Sequence, residues 1–297
     1  MFLDWKRLRN PVYQRDGWSV KDACMAWREG WFYLFHSAFY EDRGQVRSHV
    51  VGVRTRDFRT FSQPLFVWDG VDEGWIGLCS PDVFTDGRLW YLTYNSWGDH
   101  PDRPNQLFYA TSSDLERWTP HLPLARDVTQ EDGRPVRAID AAVAHAHGRY
   151  VLYWKERQTP QIAVANAMGE RGWRRLGRPM DGWCENAQFL PIDGTWHAVI
   201  VCKPMDGCIV KATDDGRRDE DWVRWGEPRR LEVPRESFNT DHRANCPVIV
   251  DWRSHDGFFY LLYAGNTQNV SHAGRGDNKL GLARSRDLVT WSAAGRL

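Results

Sequence analysis

The sequence has no Cys-x-x-Cys pair, no excess of charge of one sign and no long apolar run, and each absence removes a class of protein. Its six cysteines, Cys24, Cys79, Cys184, Cys202, Cys208 and Cys246, stand singly. Neither a zinc knuckle nor a disulfide framework is indicated, and a reducing compartment is expected. No stretch approaches the roughly 18 apolar residues of a membrane span, and the opening Met-Phe-Leu-Asp-Trp-Lys-Arg-Leu-Arg puts charges where a secretory leader carries its apolar run. A cytoplasmic protein with no membrane partner is therefore expected, in which Asn269-Val270-Ser271 has no meaning as a glycosylation site. Lys+Arg and Asp+Glu number 39 each, with a pI near 7.1. A nucleic-acid binder carries a basic excess, so nucleic acid is not an expected partner.

What the chain does have is tryptophan, 17 in 297 residues, and a recurring unit. Large rings fill β-rich cores or form platforms for ligands. Short strand patterns meet at a glycine turn five times, at Gly30-Trp31, Gly87-Arg88-Leu89-Trp90, Gly148-Arg149-Tyr150, Gly194-Thr195-Trp196 and Gly257-Phe258, with intervals of 57, 61, 46 and 63 residues. In the second unit, Ser80-Pro81-Asp82-Val83-Phe84, Leu89-Trp90-Tyr91-Leu92-Thr93-Tyr94 and Gln106-Leu107-Phe108-Tyr109-Ala110-Thr111 are dense in aromatic and β-branched residues, as strands are, and a short outer strand follows near Trp118. The third strand runs into a capped turn at Arg54-Thr55-Arg56-Asp57-Phe58, Thr111-Ser112-Ser113-Asp114-Leu115 and Arg284-Ser285-Arg286-Asp287-Leu288. Copies three and four are looser.

A unit of this length that repeats in one order end to end is read as one array, because no unit buries its faces alone. Four antiparallel strands repeated radially are the blades of a β-propeller. The expectation is an all-β, five-bladed β-propeller forming one domain over residues 1–297. Two segments compete for the outer strand of the last blade, Asp4–Leu8 and Trp291–Gly295.

First strands line the channel of a propeller, so the residues that open them converge. The openers are Asp22, Asp82, Asp140, Glu185 and Asp241-His242, and the returning second strands add His36-Ser37, Asn95-Ser96-Trp97, Lys155-Glu156-Arg157, Lys203 and Asn266. Several carboxylates, bases and rings in one funnel suit glycosidic bond cleavage. That reaction needs one carboxyl to protonate the leaving oxygen and another to activate water or attack the sugar, while a third raises the acid's pKa by like-charge repulsion.

Asp22, Asp140 in Ala138-Ile139-Asp140-Ala141-Ala142-Val143 and Glu185 in Trp183-Cys184-Glu185-Asn186-Ala187 resemble the acidic trio of the five-bladed propeller glycosidases, the superfamily of arabinofuranosidases, xylosidases, invertases and levansucrases. The resemblance spans the chain in blade order, on short motifs. It implies Asp22 as general base of an inverting enzyme or nucleophile of a retaining one, Asp140 as pKa modulator and Glu185 as general acid. It requires no cofactor. His242 matches a blade-five histidine that often helps hold water or a metal ion in the arabinofuranosidase-xylosidase branch. Trp183-Cys184-Glu185 is similar to the Glu-Cys pair of the invertase branch with the order reversed. In the family Pro usually follows the first Asp. Here Ala23 follows Asp22 and Ala141 follows Asp140, which predicts an altered backbone setting.

Substrate contacts are expected from His36, Asp82, Lys203, His242 and Arg243, with Trp75, Trp97 and Trp183 as sugar platforms. No catalytic role is assigned to Asp82, and His145 and His147 read as packing or turn residues. No metal ligand set is assigned. A glycoside hydrolase acting on a small sugar or oligosaccharide is the leading function. A sugar-binding propeller without catalysis is the alternative, as is a phosphorylase with Lys203, Arg243 and Arg157 as its phosphate clamp.

Overall fold

The computed structural model describes residues 2–98, 100, 102–179, 184–202, 206–267 and 277–295, without the side chains of Cys184 and His242. Those residues are nearly all β. Strands β1 (Ser19–Arg28), β2 (Trp31–Asp42), β3 (Gln45–Thr55) and β4 (Phe66–Trp68) form one antiparallel group, and β5 (Gly77–Thr85), β6 (Trp90–Trp97), β7 (Leu107–Ser112) and β8 (Leu122–Pro123) the next. After the hairpin β9 (Gln130–Glu131) and β10 (Arg134–Pro135) come three four-stranded sheets: β11 (Ala138–Ala146), β12 (Arg149–Glu156), β13 (Thr159–Ala165) and β14 (Arg174–Gly177), then β15 (Cys184–Ile192), β16 (Thr195–Cys202), β17 (Asp206–Lys211) and β18 (Arg229–Arg230), and last β19 (His242–Asp251), β20 (Phe259–Asn266), β21 (Lys279–Ser285) and β22 (Ser292–Ala293). Helix is confined to short turns such as Trp5–Arg7 and Asp219–Val223. None is long and apolar enough to cross a membrane. Successive four-stranded antiparallel sheets are the architecture of a β-propeller.

The first two groups touch edge to edge through one parallel bridge, Ser48 to Gly77. A Cβ at Gly77 would lie 2.5 Å from the Ser48 carbonyl oxygen, so only glycine admits the contact. Elsewhere the sheets meet through apolar faces. Trp154 and Trp222 are among the largest fully buried side chains, and the indole N–H of Trp222 donates to Gly216 O at 3.0 Å.

The capped turns repeat in atomic detail. The hydroxyls of Thr55, Ser112 and Ser285 accept from the backbone N–H three residues on, at 2.9, 2.8 and 2.9 Å. The carboxylates of Asp57, Asp114 and Asp287 each accept from two further N–H groups at 2.8–2.9 Å. This leaves Phe58, Leu115 and Leu288 at φ 53°, 66° and 61°, with Phe58 and Leu115 buried.

Of the two candidates for the last outer strand, Trp291–Gly295 supplies it and Asp4–Leu8 does not. Ser292–Ala293 pairs with β21. Trp5–Arg7 is a helical turn, and the segment behind it clips onto the same sheet: Leu280 N donates to Tyr13 O at 2.9 Å, and Leu282 N to Asn10 Oδ1 at 2.8 Å.

Candidate active site

All five inner strands lose register with their neighbours. The break lies between Lys21 and Cys24 in β1, Cys79 and Asp82 in β5, Ile139 and Ala142 in β11, and Glu185 and Gln188 in β15. In β19 it takes two steps between His242 and Val248. Each break holds one left-handed residue: Asp22 at φ 51°, Ser80 at 54°, Asp140 at 60°, Asn186 at 48° and Cys246 at 45°. Each is followed by a compact residue, Ala23, Pro81, Ala141, Ala187 or Pro247. A bulge of this kind re-aims the side chain at its head, and left-handed non-glycine residues gather where a site over-determines them. These ten residues, with Asp82 and Val248, line one cavity.

The absent prolines therefore do not set Asp22 and Asp140 apart. Both hold the same left-handed conformation as Ser80 and Cys246, which do precede proline.

The ring side chains bind one another. Asn186 Nδ2 donates to Asp22 Oδ1 at 3.3 Å, and the Cys246 thiol donates to Asn186 Oδ1 at 3.3 Å. Asp140 N donates to Asn95 Oδ1 at 2.8 Å, while Asn95 Nδ2 reaches Cys79 Sγ at 3.2 Å. Two buried lysines supply positive charge: Lys21 Nζ lies 3.2 Å from Asp22 Oδ1 and Lys155 Nζ 2.5 Å from Glu185 Oε2. Glu185 stands one residue ahead of the ring position that Asn186 occupies, and Asp82 two residues beyond that of Ser80.

Burial decides the protonation states. It raises Asp140 to about 6, with the charge of Glu185 adding to the effect and Lys155 opposing it. It raises Asp82 to about 8 against backbone N–H donors that pull the other way. Burial alone would lower Lys21, yet Asp22, Cys246, Glu185 and Asp140 around it hold its ammonium well above the usual range. The Cys246 thiol is pushed far up by burial and stays a neutral donor rather than a nucleophile.

The other expected contacts are dispersed. His36 is fully buried against Tyr13, ring centroids 5.1 Å apart, and burial lowers it to about 4. Trp75 is buried, with the Arg103 guanidinium 3.4 Å above its ring. Trp97 is half-buried, edge-on to Phe39. Arg243 ion-pairs with Glu232, and Arg157 with Glu131 at 2.8 Å. Trp183 and Lys203 lie outside the described residues. His242 pairs through its backbone with Asn266 at the start of β19. Among the described residues, no three His, Cys, Asp or Glu side chains are grouped to hold a metal ion.

Sequence reasoning missed Ser80, Asn186 and Cys246 as ring members, and Lys21 as a partner of Asp22. A signal existed: a polar residue followed by Ala or Pro, seven or eight residues before the turn glycine in four copies (Asp22, Ser80, Asp140, Asn186) and eleven before it in the last (Cys246).

The sequence matches no protein-family model and no curated relative. Solved structures do match along nearly the whole chain. One belongs to the GH130 family, described as mannoside phosphorylases containing glycoside hydrolases that target β-1,2 mannosidic linkages in Candida mannan. It is 16% identical, with a TM-score of 0.68 over 96% of this chain and 93% of that one. An exo-1,5-α-L-arabinanase from a bovine ruminal metagenomic library is 14% identical, with a TM-score of 0.63 over 97% and 99%. A GH43 β-xylosidase/α-arabinofuranosidase from a compost microbial metagenome, in complex with xylotriose, is 15% identical, with a TM-score of 0.63 over 96% of each chain. At these identities the likeness is one of fold: this chain is built on the β-propeller that the GH43 and GH130 glycoside hydrolases share.

Proposed function

We propose that the chain is a five-bladed, single-domain glycoside hydrolase that cleaves a small sugar or oligosaccharide at the bulge ring, with Asp22, Asp140 and Glu185 as its catalytic carboxyls. One observation carries this reading. Asp22 and Asp140 occupy equivalent left-handed bulges facing one cavity, and Glu185 adjoins the ring closely enough for its charge to help raise Asp140. Fold alone does not choose a chemistry, so the argument rests on these side chains.

In the proposed reaction Asp22, oriented by Lys21 and Asn186, takes a proton from the attacking water. Asp140, raised to about 6 by burial and next by the charge of Glu185, keeps a proton close to neutral pH and hands it to Glu185 in the reaction. Glu185 passes that proton to the leaving oxygen as the glycosidic C–O bond breaks. Lys155 fixes Glu185 in place. Water enters and the sugar hemiacetal and an alcohol leave, with inversion on the analogy of the arabinofuranosidase-xylosidase branch.

Water is favoured over phosphate as acceptor by the state of the described cations, of which Lys203 is not one. Arg157 and Arg243 pair with carboxylates away from the cavity lining, and Lys21 and Lys155 are each bound to a carboxylate of the site. A panel of aryl arabinosides, xylosides and mannosides tests the reading. Turnover independent of phosphate is expected, falling about 10²–10⁴-fold in Glu185→Gln. Turnover unchanged in that variant, or dependent on phosphate, rejects the assignment.

A further inference from the structure

Asp82 differs from the carboxyls of the trio in what surrounds it. Asp22 and Glu185 each touch a buried lysine, whereas no described lysine, arginine or histidine pairs with Asp82. Its one hydrogen bond from a neighbouring strand comes from Val143 N to Oδ2, at 3.4 Å. It is only 6% exposed, yet it lines the cavity together with Asp22 and Asp140. An ionised carboxylate in such a place lacks both solvent and counter-charge, and a buried carboxyl answers that cost by keeping its proton.

We propose that Asp82 is a neutral carboxylic acid that donates a hydrogen bond to a sugar oxygen held in the cavity. This makes it a specificity element beside the catalytic trio, and it rests on the glycosidase reading above. A neutral carboxyl is both donor and acceptor, whereas an ionised carboxylate only accepts. A sugar hydroxyl that accepts from Asp82 can in turn donate to Asp22 or Asp140, and a ligand lacking that oxygen leaves a buried polar group without a partner. The titratable groups that share the cavity are Asp22 and Asp140 from β1 and β11 and Cys246 from β19. Cys24 of β1 couples to Asp82 from behind, its thiol raised chiefly by burial and next by that carboxyl. None of these groups is a cation that could balance a charge at Asp82, and Lys21 is taken up by Asp22. The rise of Asp82 to about 8 through burial agrees with this arrangement.

Two measurements on the whole protein test the proposal. Infrared difference spectra of wild type against Asp82→Asn read the carboxyl directly. The band of a protonated acid is expected at pH 7, fading above about pH 8, and a carboxylate band at pH 7 overturns the proposal. Calorimetric titration with L-arabinose, D-xylose and D-mannose reads the hydrogen bond. The sugar that binds should weaken as pH rises past about 8. Asp82→Asn, whose amide still donates, should retain wild-type affinity at pH 7 and lose that alkaline weakening, and Asp82→Leu should bind about 10-fold more weakly than wild type at pH 7 with no alkaline weakening of its own. Equal binding by Leu, Asn and wild type overturns the donor role. If wild type binds none of the three sugars and Glu185→Gln leaves turnover unaltered, the glycosidase reading fails, and the infrared band still decides the state of the carboxyl.

Discussion

The turns at the outer ends of the third strands and the bulges of the inner strands both recur around the molecule, but they recur in different senses. At the turns the chemistry repeats: a Thr or Ser hydroxyl and an Asp carboxylate two residues later gather the same backbone N–H groups at residues 55–60, 112–117 and 285–290. At the bulges the backbone repeats while the head residue changes, through Asp, Ser, Asp, Asn and Cys. A repeated side chain with a repeated backbone marks a part that builds the fold. A repeated backbone with diverging side chains marks a part that the fold leaves for chemistry, and these heads together line one cavity.

The largest expected effect separates the two regions. Asn already sits in the equivalent bulge at residue 186 with φ 48°, so Asp22→Asn should fold with an unchanged circular dichroism spectrum. It should nonetheless lose about 10²–10⁴-fold in turnover, the usual worth of a proton-transferring group. Full activity in a folded Asp22→Asn protein would remove the ring from the proposed chemistry.

His36 lies just behind that ring, fully buried and lowered to about 4 from 6.5. The unfolded chain binds a proton below pH 6.5 while the folded one does not until about pH 4, so His36 costs stability as pH falls through that window. At pH 5 the cost is about 2 kcal/mol by that relation. Comparing the pH dependence of Tm for wild type and His36→Gln should show the variant losing less between pH 6.5 and 4.5. Parallel curves would mean that the ring of His36 is not held neutral. Asp82 has the opposite sign, its raised carboxyl costing stability as pH climbs from about 4 toward 8.

At the turns the expectation reverses: stability changes and turnover does not. Asp114→Ala removes the acceptor for the N–H groups of Glu116 and Arg117, at 2.9 and 2.8 Å. The cost is about 1 kcal/mol, or a fall in Tm of roughly 2–4 °C. A loss of turnover beyond the fall in folded protein would erase the division between the two regions.

Legibility in the sequence follows the same division. Turn glycines and the Thr/Ser-x-Asp pattern are local signals, and a turn needs only its own residues to form, so the strand order could be read directly. Bulges are invisible to a period-2 reading because each inserts residues without changing composition. That is why Glu185 and Asp82 read as equivalents of Asp22 when the equivalent residues are Asn186 and Ser80. The pairing of Lys155 with Glu185 joins β12 to β15, and the Arg103 guanidinium over Trp75 joins a loop to the segment before β5. Both depend on how the sheets pack, which no local pattern encodes. The closing contacts of Asn10 and Tyr13 with β21 are equally long-range.

The smallest expected effect bears on the bulges themselves. Ala23 lies inside a register break in the place that Pro81 and Pro247 fill in β5 and β19, and the residues before all three share a left-handed φ of 45–54°. If the backbone is one design used five times, proline should fit at residue 23. Ala23→Pro should then stabilise the protein slightly, by about 0.4–1 kcal/mol through the lost freedom of the unfolded chain, with turnover near wild type because Asp22 keeps its setting. A large loss of stability would show that β1 needs the Ala23 N–H or a φ closed to proline. The bulges would then be alike at their heads and different one residue later, and the resemblance of Asp22 to the Pro-followed residues of the family would end at that position.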